Sequence, residues 1–196
     1  MGFELTDGTG KGFTAKVDST NRLHVDSIDR DTYANASSFG DAYTVNSGYI
    51  TLTASSSTSG ILFLKNDGDD DLAVVRFNLN CKASNGTTET HGRFIFYRNP
   101  ISMTSGTGNS ITPRNLNFGS SNTLDITSEI GQNGASFTST SEAFGSPVVR
   151  LQDQLFIDSV VIIPKGSSLG VSFVTPSGNT SIQVAVGLNV YVIKED

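Results

Sequence analysis

The chain has 196 residues, of which 16% are charged, and a formal net charge of −6 accompanies a sequence pI of about 4.8. This acidic balance argues against a broad nucleic-acid surface, and a single cysteine, Cys81, excludes an intrachain disulfide. The opening residues lack the pattern of a signal peptide, and no apolar run is long enough for a membrane helix. We therefore expect a protein made in a reducing cytoplasm, with neither nucleic acid nor a membrane as a partner.

Residues 1–44 form the first predicted unit, an extended N-terminal arm. Three glycines punctuate its polar start, and a weak extended pattern follows over residues 13–26. The segment has too few apolar side chains for a core of its own, so we expect it to dock on the body of the protein or on a neighbouring chain. The residues predicted to make this contact are Phe13, Val17, Arg22, Leu23 and Val25.

Residues 45–196 form the second predicted unit, in which strand signals are dense. Clusters of Ser, Asn, Asp and Gly separate four apolar segments at 49–54, 60–65, 72–82 and 93–98. The stretch 99–146 is rich in Gly, Ser, Asn and Thr, which predicts a long loop with one or two short strands. Three further strands are predicted at 155–163, 168–175 and 181–193.

The last predicted strand carries the clearest pattern in the chain. Its apolar residues fall at every second position: Ile182, Val184, Val186, Leu188, Val190 and Val192. Successive side chains of a strand point to opposite faces, so this spacing buries one face, and a helix cannot use it. No amphipathic helix is predicted anywhere. Many antiparallel strands and one long crossing loop favour an all-β fold, an antiparallel two-sheet sandwich that is jelly-roll-like, over an up-and-down barrel.

Cys81 is predicted to be a small core residue rather than a reactive thiol, because it lies on one face of the strand 72–82. The residues predicted to share that face are Ala73, Val75, Phe77 and Leu79.

The alternating carboxylates Asp67, Asp69 and Asp71 are the one candidate metal site, since carboxylates spaced around a glycine can wrap Ca²⁺. The position that would hold the closing glutamate of a calcium loop is occupied by Asn78. A solvated hairpin turn explains the same residues, because Asp and Gly favour turns. The sequence therefore predicts no metal and no cofactor.

Catalytic motifs are missing from the sequence. It contains no Gly-x-Ser-x-Gly, and the carboxylates Glu89, Glu129 and Glu142 all fall in loop-like sequence. The two histidines, His24 and His91, fall in the arm and in a turn, with nothing to join them in a metal site. A protein that is not an enzyme is predicted.

Several short motifs resemble structural proteins of tailed bacteriophages. The arm contains GKGFTAKVDS at 10–19 and NRLHV at 21–25. The body contains GILFLKN at 60–66, YRNP at 97–100 and RNLNFGSS at 114–121. The resemblance implies a virion component, foremost a capsid decoration or cement protein that docks on the major capsid protein or other virion proteins, and next a tail or fibre part. The disulfide-free, loop-rich body with its arm predicts a homo-oligomer, for which the resemblance favours a trimer. The resemblance also implies a protein made in the host cytoplasm and located in the virion.

Two other classes of function stay open. Jelly rolls often bind sugars, which would make this a carbohydrate- or receptor-binding module. Without tryptophan, the rings available for stacking on a sugar are Tyr33, Tyr43, Tyr49, Tyr97 and Tyr191. A hydrolase would need a catalytic Ser, Asp or Glu, and the sequence nominates none.

Overall fold

The computed structural model of the protein describes residues 32–53, 57–83, 91–104, 109–138, 142–151, 153–178 and 181–194. Its elements are α1 (Thr32–Phe39), β1 (Ala42–Asn46), β2 (Ile50–Leu52), β3 (Thr58–Asn66), β4 (Asp71–Ala83), β5 (His91–Arg98), β6 (Ser102–Thr104), β7 (Arg114–Asn115), β8 (Ile126–Ile130), β9 (Ser136–Thr138), β10 (Glu142–Gly145), β11 (Val148–Arg150), β12 (Asp153–Ile163), β13 (Ser168–Val174) and β14 (Ile182–Ile193).

The strands form two packed antiparallel sheets. The first has the order β12-β4-β14-β1-β7, with β2 also paired to β14, and the second has the order β10-β5-β13-β3-β8, with β11 also paired to β5. Strands from the start of the chain pair with strands from its end, and each later pair lies between the earlier ones in sequence. β1 pairs with β14, β3 with β13, β4 with β12, and β5 with β10 and β11. This nested pairing is the jelly-roll topology, so the predicted fold class is confirmed.

The core lies between the two sheets. All six alternating residues of β14 that the sequence singled out pack in or against it, and five of them are fully buried. β14 lies in the middle of its sheet, paired with β4 on one side and with β1 and β2 on the other. Its outward side chains include Ala185, Gly187 and Asn189, and Tyr191, which packs on Tyr33 of α1.

In β4 the even-numbered residues face the core before Val75, and the odd-numbered residues face it after Val75. Phe77, Leu79 and Cys81 face the core as predicted, whereas Val75 and the buried Ala73 lie outside the core cluster. The cause is a β-bulge at Val75, which adds one residue to β4 relative to β14. The prediction that all five residues share one face is wrong, because it assumed an unbroken register.

The bulge grows across the first sheet. Asn189 and Val190 are adjacent in β14. The residues of β4 that pair with them, Arg76 and Val74, are separated by Val75. The residues of β12 that pair with those, Asp158 and Val161, are separated by Ser159 and Val160. Because β12 has two extra residues, an even number, its side chains alternate between the two faces without a break. Leu155 and Ile157 therefore pack on the core side before the bulge, and Val161 packs on the same side after it.

The chain contains one helix among its described residues, and the sequence predicted none. The eight-residue α1 lacks an apolar stripe, and three asparagines, one in β7 and two in the loop after it, donate to carbonyls at its C-terminal end. Asn117 donates to Ser38 O at 2.9 Å, Asn122 to Phe39 O at 3.3 Å and Asn115 to Gly40 O at 2.7 Å. Tertiary contacts of this kind, rather than helix propensity, hold a helix of this length.

The sandwich unit spans Thr32–Asp196, so residues 32–44 of the segment predicted as an arm belong to this unit. They form α1 and the first part of β1, where Ala42 and Tyr43 are buried. The predicted loop 99–146 contains five short strands instead of one or two, β6 to β10. These strands are too short and too polar to give an alternating pattern.

A two-stranded ribbon, β6 with β9, covers part of the outer face of the second sheet. Met103 and Phe137 pack there with Phe63, in a small cluster separate from the main core. Two strand glycines allow the ribbon to lie close: a Cβ on Gly60 would meet Met103 Sδ at 2.9 Å, and one on Gly170 would meet the Phe137 ring at 2.8 Å.

Candidate functional site

Most edges of the two sheets are guarded. β7 has only two residues, and the edge formed by β10 and β11 is interrupted at Pro147. The outer side of β8 bonds to a loop segment, since Ile111 N donates to Ser128 O at 3.0 Å and Ile130 N donates to Asn109 O at 2.9 Å. Short strands, proline and covering loops are the usual means by which proteins prevent edge-to-edge association.

The edge strand β12 is the least guarded, with only its bulge at Ser159 and Val160 to interrupt it. It is eleven residues long and pairs with β4 on one side, and no strand of the described residues pairs with its other side. Its sequence, DQLFIDSVVII, contains no proline and no lysine. A long edge strand without these residues is a template for pairing with another chain.

Both faces of β12 are apolar. On the core side, Leu155, Ile157, Val161 and Ile163 pack against the main core. On the outward side, Phe156 is 53% exposed, Val160 65% and Ile162 44%. A surface strand normally carries polar residues on its outward face, so this face is unusual for a protein that acts alone.

A groove of about 480 Å³ runs along the open side of the sandwich, between β12 and the second sheet. Residues 160–163 of β12, of which Val161 and Ile163 face the core, line it from one sheet, and Phe144 and Arg98 line it from the other. The Phe144 ring lies 5.9 Å from the ring of Phe96, a residue of the main core cluster. The groove is therefore continuous with the packed aromatic core, which fixes its shape.

One ion pair lies on the outward face beside the groove residues. Arg76 Nε donates to Asp158 Oδ1 at 2.6 Å across the β4–β12 pair, and this contact raises the pKa of the Arg76 guanidinium. Both groups are well exposed, so the pair adds little stability. Its effect is to hold the Asp158 carboxylate against its own sheet.

The acidic turn predicted as a possible calcium site is held by lysines. Asp67 pairs with Lys65 and accepts from Thr127 Oγ1 at 2.6 Å, and these contacts lower the pKa of its carboxyl. Asp69 pairs with Lys165, which lowers its pKa as well. In the part of the chain that the structure describes, no three His, Cys, Asp or Glu side chains form a group that could hold a metal ion.

Asn66 is buried at the base of that turn, where its side chain hydrogen-bonds to three main-chain groups. Its buried amide donates to Asp70 O at 2.9 Å and to Ile163 O at 3.0 Å, and its carbonyl accepts from Gly68 N at 3.1 Å. The turn is thereby tied to the end of β12. Asp71 begins β4 and pairs with Ile193.

Of the five tyrosines considered for sugar stacking, Tyr43 is buried in the core. Tyr33 and Tyr191 pack on each other at 6.3 Å between ring centroids, and Tyr97 packs edge-on against Phe137 at 5.5 Å. Tyr49 is the one large exposed ring among them, at 61%. The five rings do not form a shared stacking platform.

The remaining predicted residues are placed as follows. Phe13, Val17, Arg22, Leu23 and Val25 lie outside the described residues, as does His24. His91 begins β5. Cys81 is buried, and burial raises the pKa of its thiol to about 12, which keeps it in the unreactive thiol form.

The comparisons with known proteins give no family. No protein-family model matches the chain, and no curated protein matches it either. Among the described residues, no helix combines the length and the apolar character needed to cross a membrane.

Sequence reasoning missed the groove residues Phe144, Val160 and Ile162. The signal that could have located part of this surface is the run Val-Val-Ile-Ile at 160–163, where both parities of a strand are apolar. Such a run is typical of a strand covered on both faces, and in β12 one of those faces is open.

Proposed function

We propose that this protein is a non-enzymatic structural subunit of a tailed-bacteriophage virion, a capsid decoration or cement protein that docks on the major capsid protein. The observation that carries the proposal is the uncovered side of the sandwich, where a long apolar edge strand and a groove face solvent. Monomers that act alone guard such surfaces, whereas a subunit that works in an assembly has neighbours to cover them.

The charge of the chain supports a position on the outside of the particle. With a formal net charge of −6, the protein would be repelled by packaged DNA, which carries a dense negative charge. The outer surface of a shell has no such penalty.

The arm residues Phe13, Val17, Arg22, Leu23 and Val25 are proposed as the contact with the capsid. The arm has too few apolar residues for a core of its own, which suits addition to a sheet edge or a groove on a neighbouring protein. A homo-oligomer, with a trimer favoured by the resemblance, would present several such arms at once and raise the avidity for the particle. A tail or fibre position would use the same features on a different part of the virion.

The test is addition of purified protein to particles assembled without it, with occupancy read from electron micrographs. We expect the full chain to add to heads and to raise the temperature at which they release DNA. A variant lacking residues 1–31 should stay folded and fail to add, while Tyr49→Ala, which alters an exposed ring of the body, should add normally. Binding to tails alone would select the tail alternative, and binding to neither would overturn the proposal.

A further inference from the structure

The sequence of β12 is self-complementary when it is read in the antiparallel direction about Ser159. In that register Leu155 opposes Ile163 of a second copy, Phe156 opposes Ile162, and Ile157 opposes Val161. Each of these three pairs joins two apolar residues, whereas Val160 opposes Asp158 of the second copy.

The charges at the two ends obey the same symmetry. Asp153 begins β12, and Lys165 lies two residues beyond its end, so an antiparallel copy brings each carboxylate toward the opposite ammonium. Both residues are exposed, and Lys165, which pairs with Asp69 in its own copy, would exchange that partner for the carboxylate of the second copy or bridge the two. The arrangement occurs twice about a two-fold axis, as an isologous interface requires.

Neighbouring registers are less favourable. A centre at Asp158 would place that carboxylate directly against its own copy, and like charges directly opposite destabilise a sheet. A centre at Val160 would place Phe156 against Pro164 and Ile162 against Asp158, and so would lose the apolar Phe156–Ile162 pair, whereas the centre at Ser159 places the polar Gln154 against Pro164. A two-fold axis midway between two residues would pair the core-facing side chains of one copy with the outward-facing side chains of the other.

We propose that two copies of this chain associate through β12, pairing antiparallel about Ser159 so that the first sheets of the two copies join into one continuous sheet. The pairing satisfies the open main-chain groups of β12 and covers Phe156, Val160 and Ile162 on the outward face. Phe144, across the groove, lies next to the same contact. The inference uses the same open edge that carries the virion proposal, and it gives a two-fold pair rather than the trimer favoured by the resemblance. Its test concerns only copies of this chain in solution, so its failure is distinguishable from failure to add to particles.

A cysteine at the symmetry axis tests the register. In an antiparallel pair, opposite Cα atoms are about 4.5–5.5 Å apart, within the range that a disulfide spans. Ser159→Cys should therefore give a disulfide-linked dimer under mild oxidation. The control is Gln154→Cys, on the same strand, whose two copies would lie ten residues out of register, about 34 Å apart. The native Cys81 is buried and should give no background.

We expect Ser159→Cys to form the dimer at least tenfold faster than Gln154→Cys. Equal rates for the two variants, or no dimer from Ser159→Cys at high micromolar concentration, would overturn the proposal.

A charge in the contact gives a second measurement. Val160→Lys places an ammonium on the outward face, where 65% of the side chain is already exposed, so folding should be unaffected and the mass by light scattering should fall from dimer to monomer. Ile101→Lys, at a residue equally exposed but away from β12, should stay dimeric. A wild-type protein that is monomeric at high micromolar concentration, or a dimer that survives Val160→Lys, would count against the β12 interface.

Discussion

Ser47 and Val186 exchange two hydrogen bonds at the point where β1 leaves the sheet. The main-chain N–H of Ser47 donates to the carbonyl of Val186 at 2.9 Å, and the N–H of Val186 donates to Ser47 Oγ at 2.9 Å. The side-chain hydroxyl thus acts as the acceptor that the main chain of β1 would otherwise supply. The ladder on the central strand β14 continues by this substitution.

Removal of that hydroxyl should destabilise the fold. Ser47→Ala leaves the buried N–H of Val186 without its acceptor, which costs about 1–3 kcal/mol of unfolding free energy. Urea unfolding measures the difference. Ser38→Ala, at an exposed hydroxyl of α1, is the control and should change the free energy by about 0.5 kcal/mol or less. Equal effects from the two variants would contradict this assignment.

Gly92 marks a close contact between β5 and an aromatic ring. A Cβ at this position would lie 2.2 Å from Phe173 Cζ, and that ring is held edge-on against Phe94 at 4.9 Å. Gly92→Ala should therefore overpack the core and lower the unfolding free energy by about 1–3 kcal/mol. Gly119→Ala, where the nearest atom is 3.5 Å away, should have little effect, and a comparable loss there would show that the contact with Phe173 is not the cause.

The lowered pKa of Asp67 predicts a loss of stability in acid. Its ordinary pKa is 3.8, and Lys65 and Thr127 hold the folded-state value below this. The ionised group therefore stabilises the fold above pH 3.8, and the contribution is lost as the pH falls through the folded-state pKa. Asp67→Asn should lower the melting temperature at about pH 7 and have a smaller effect at about pH 3. An effect that grows on acidification would contradict this sign.

Calcium should not stabilise the acidic turn. Lys65 and Lys165 already pair with Asp67 and Asp69, so a cation would have to displace both ammonium groups. We expect the same melting temperature with calcium and with a chelator, because a ligand stabilises only if it binds the folded state. A rise with calcium that disappears in Asp69→Ala would show that the turn is a binding site.

Truncation should locate the start of the folded body at residue 32. A chain of residues 32–196 keeps α1 and β1 and should melt cooperatively, as monitored by circular dichroism. A chain of residues 45–196 loses the buried Ala42 and Tyr43, and should be less stable by several kcal/mol or insoluble. If both chains melt alike, residues 32–44 do not contribute to the fold as their burial implies.

The long strands could be predicted from the sequence because their apolar and polar residues alternate with a period of two, the period at which side chains of a strand change face. The residues of β14 show this most clearly. The helix α1 could not, since the loop asparagines Asn117 and Asn122, about 80 positions away, donate to its last carbonyls. Such long-range partners leave no local pattern.

The groove was unpredictable for a different reason. Phe144 and Val160 belong to strands of different sheets, and they meet only because β12 and β10 are both edge strands on the same side of the sandwich. The order of the strands in a sheet depends on which distant segments pair, so the sequence of a single segment does not reveal it. The apolar character of 160–163 was visible, but its exposure was not.

The bulge at Val75 is the one place where β4 could lose a residue and keep its pairing with the central strand. Without Val75, Val74 and Arg76 would be neighbours opposite Val190 and Asn189, and the core residues of β4 would fall at every second position. The same deletion would leave Ser159 and Val160 in β12 with nothing opposite them. A deletion elsewhere in β4 would instead exchange its core and outward faces, so we expect changes of chain length to fall at this bulge or in the turns.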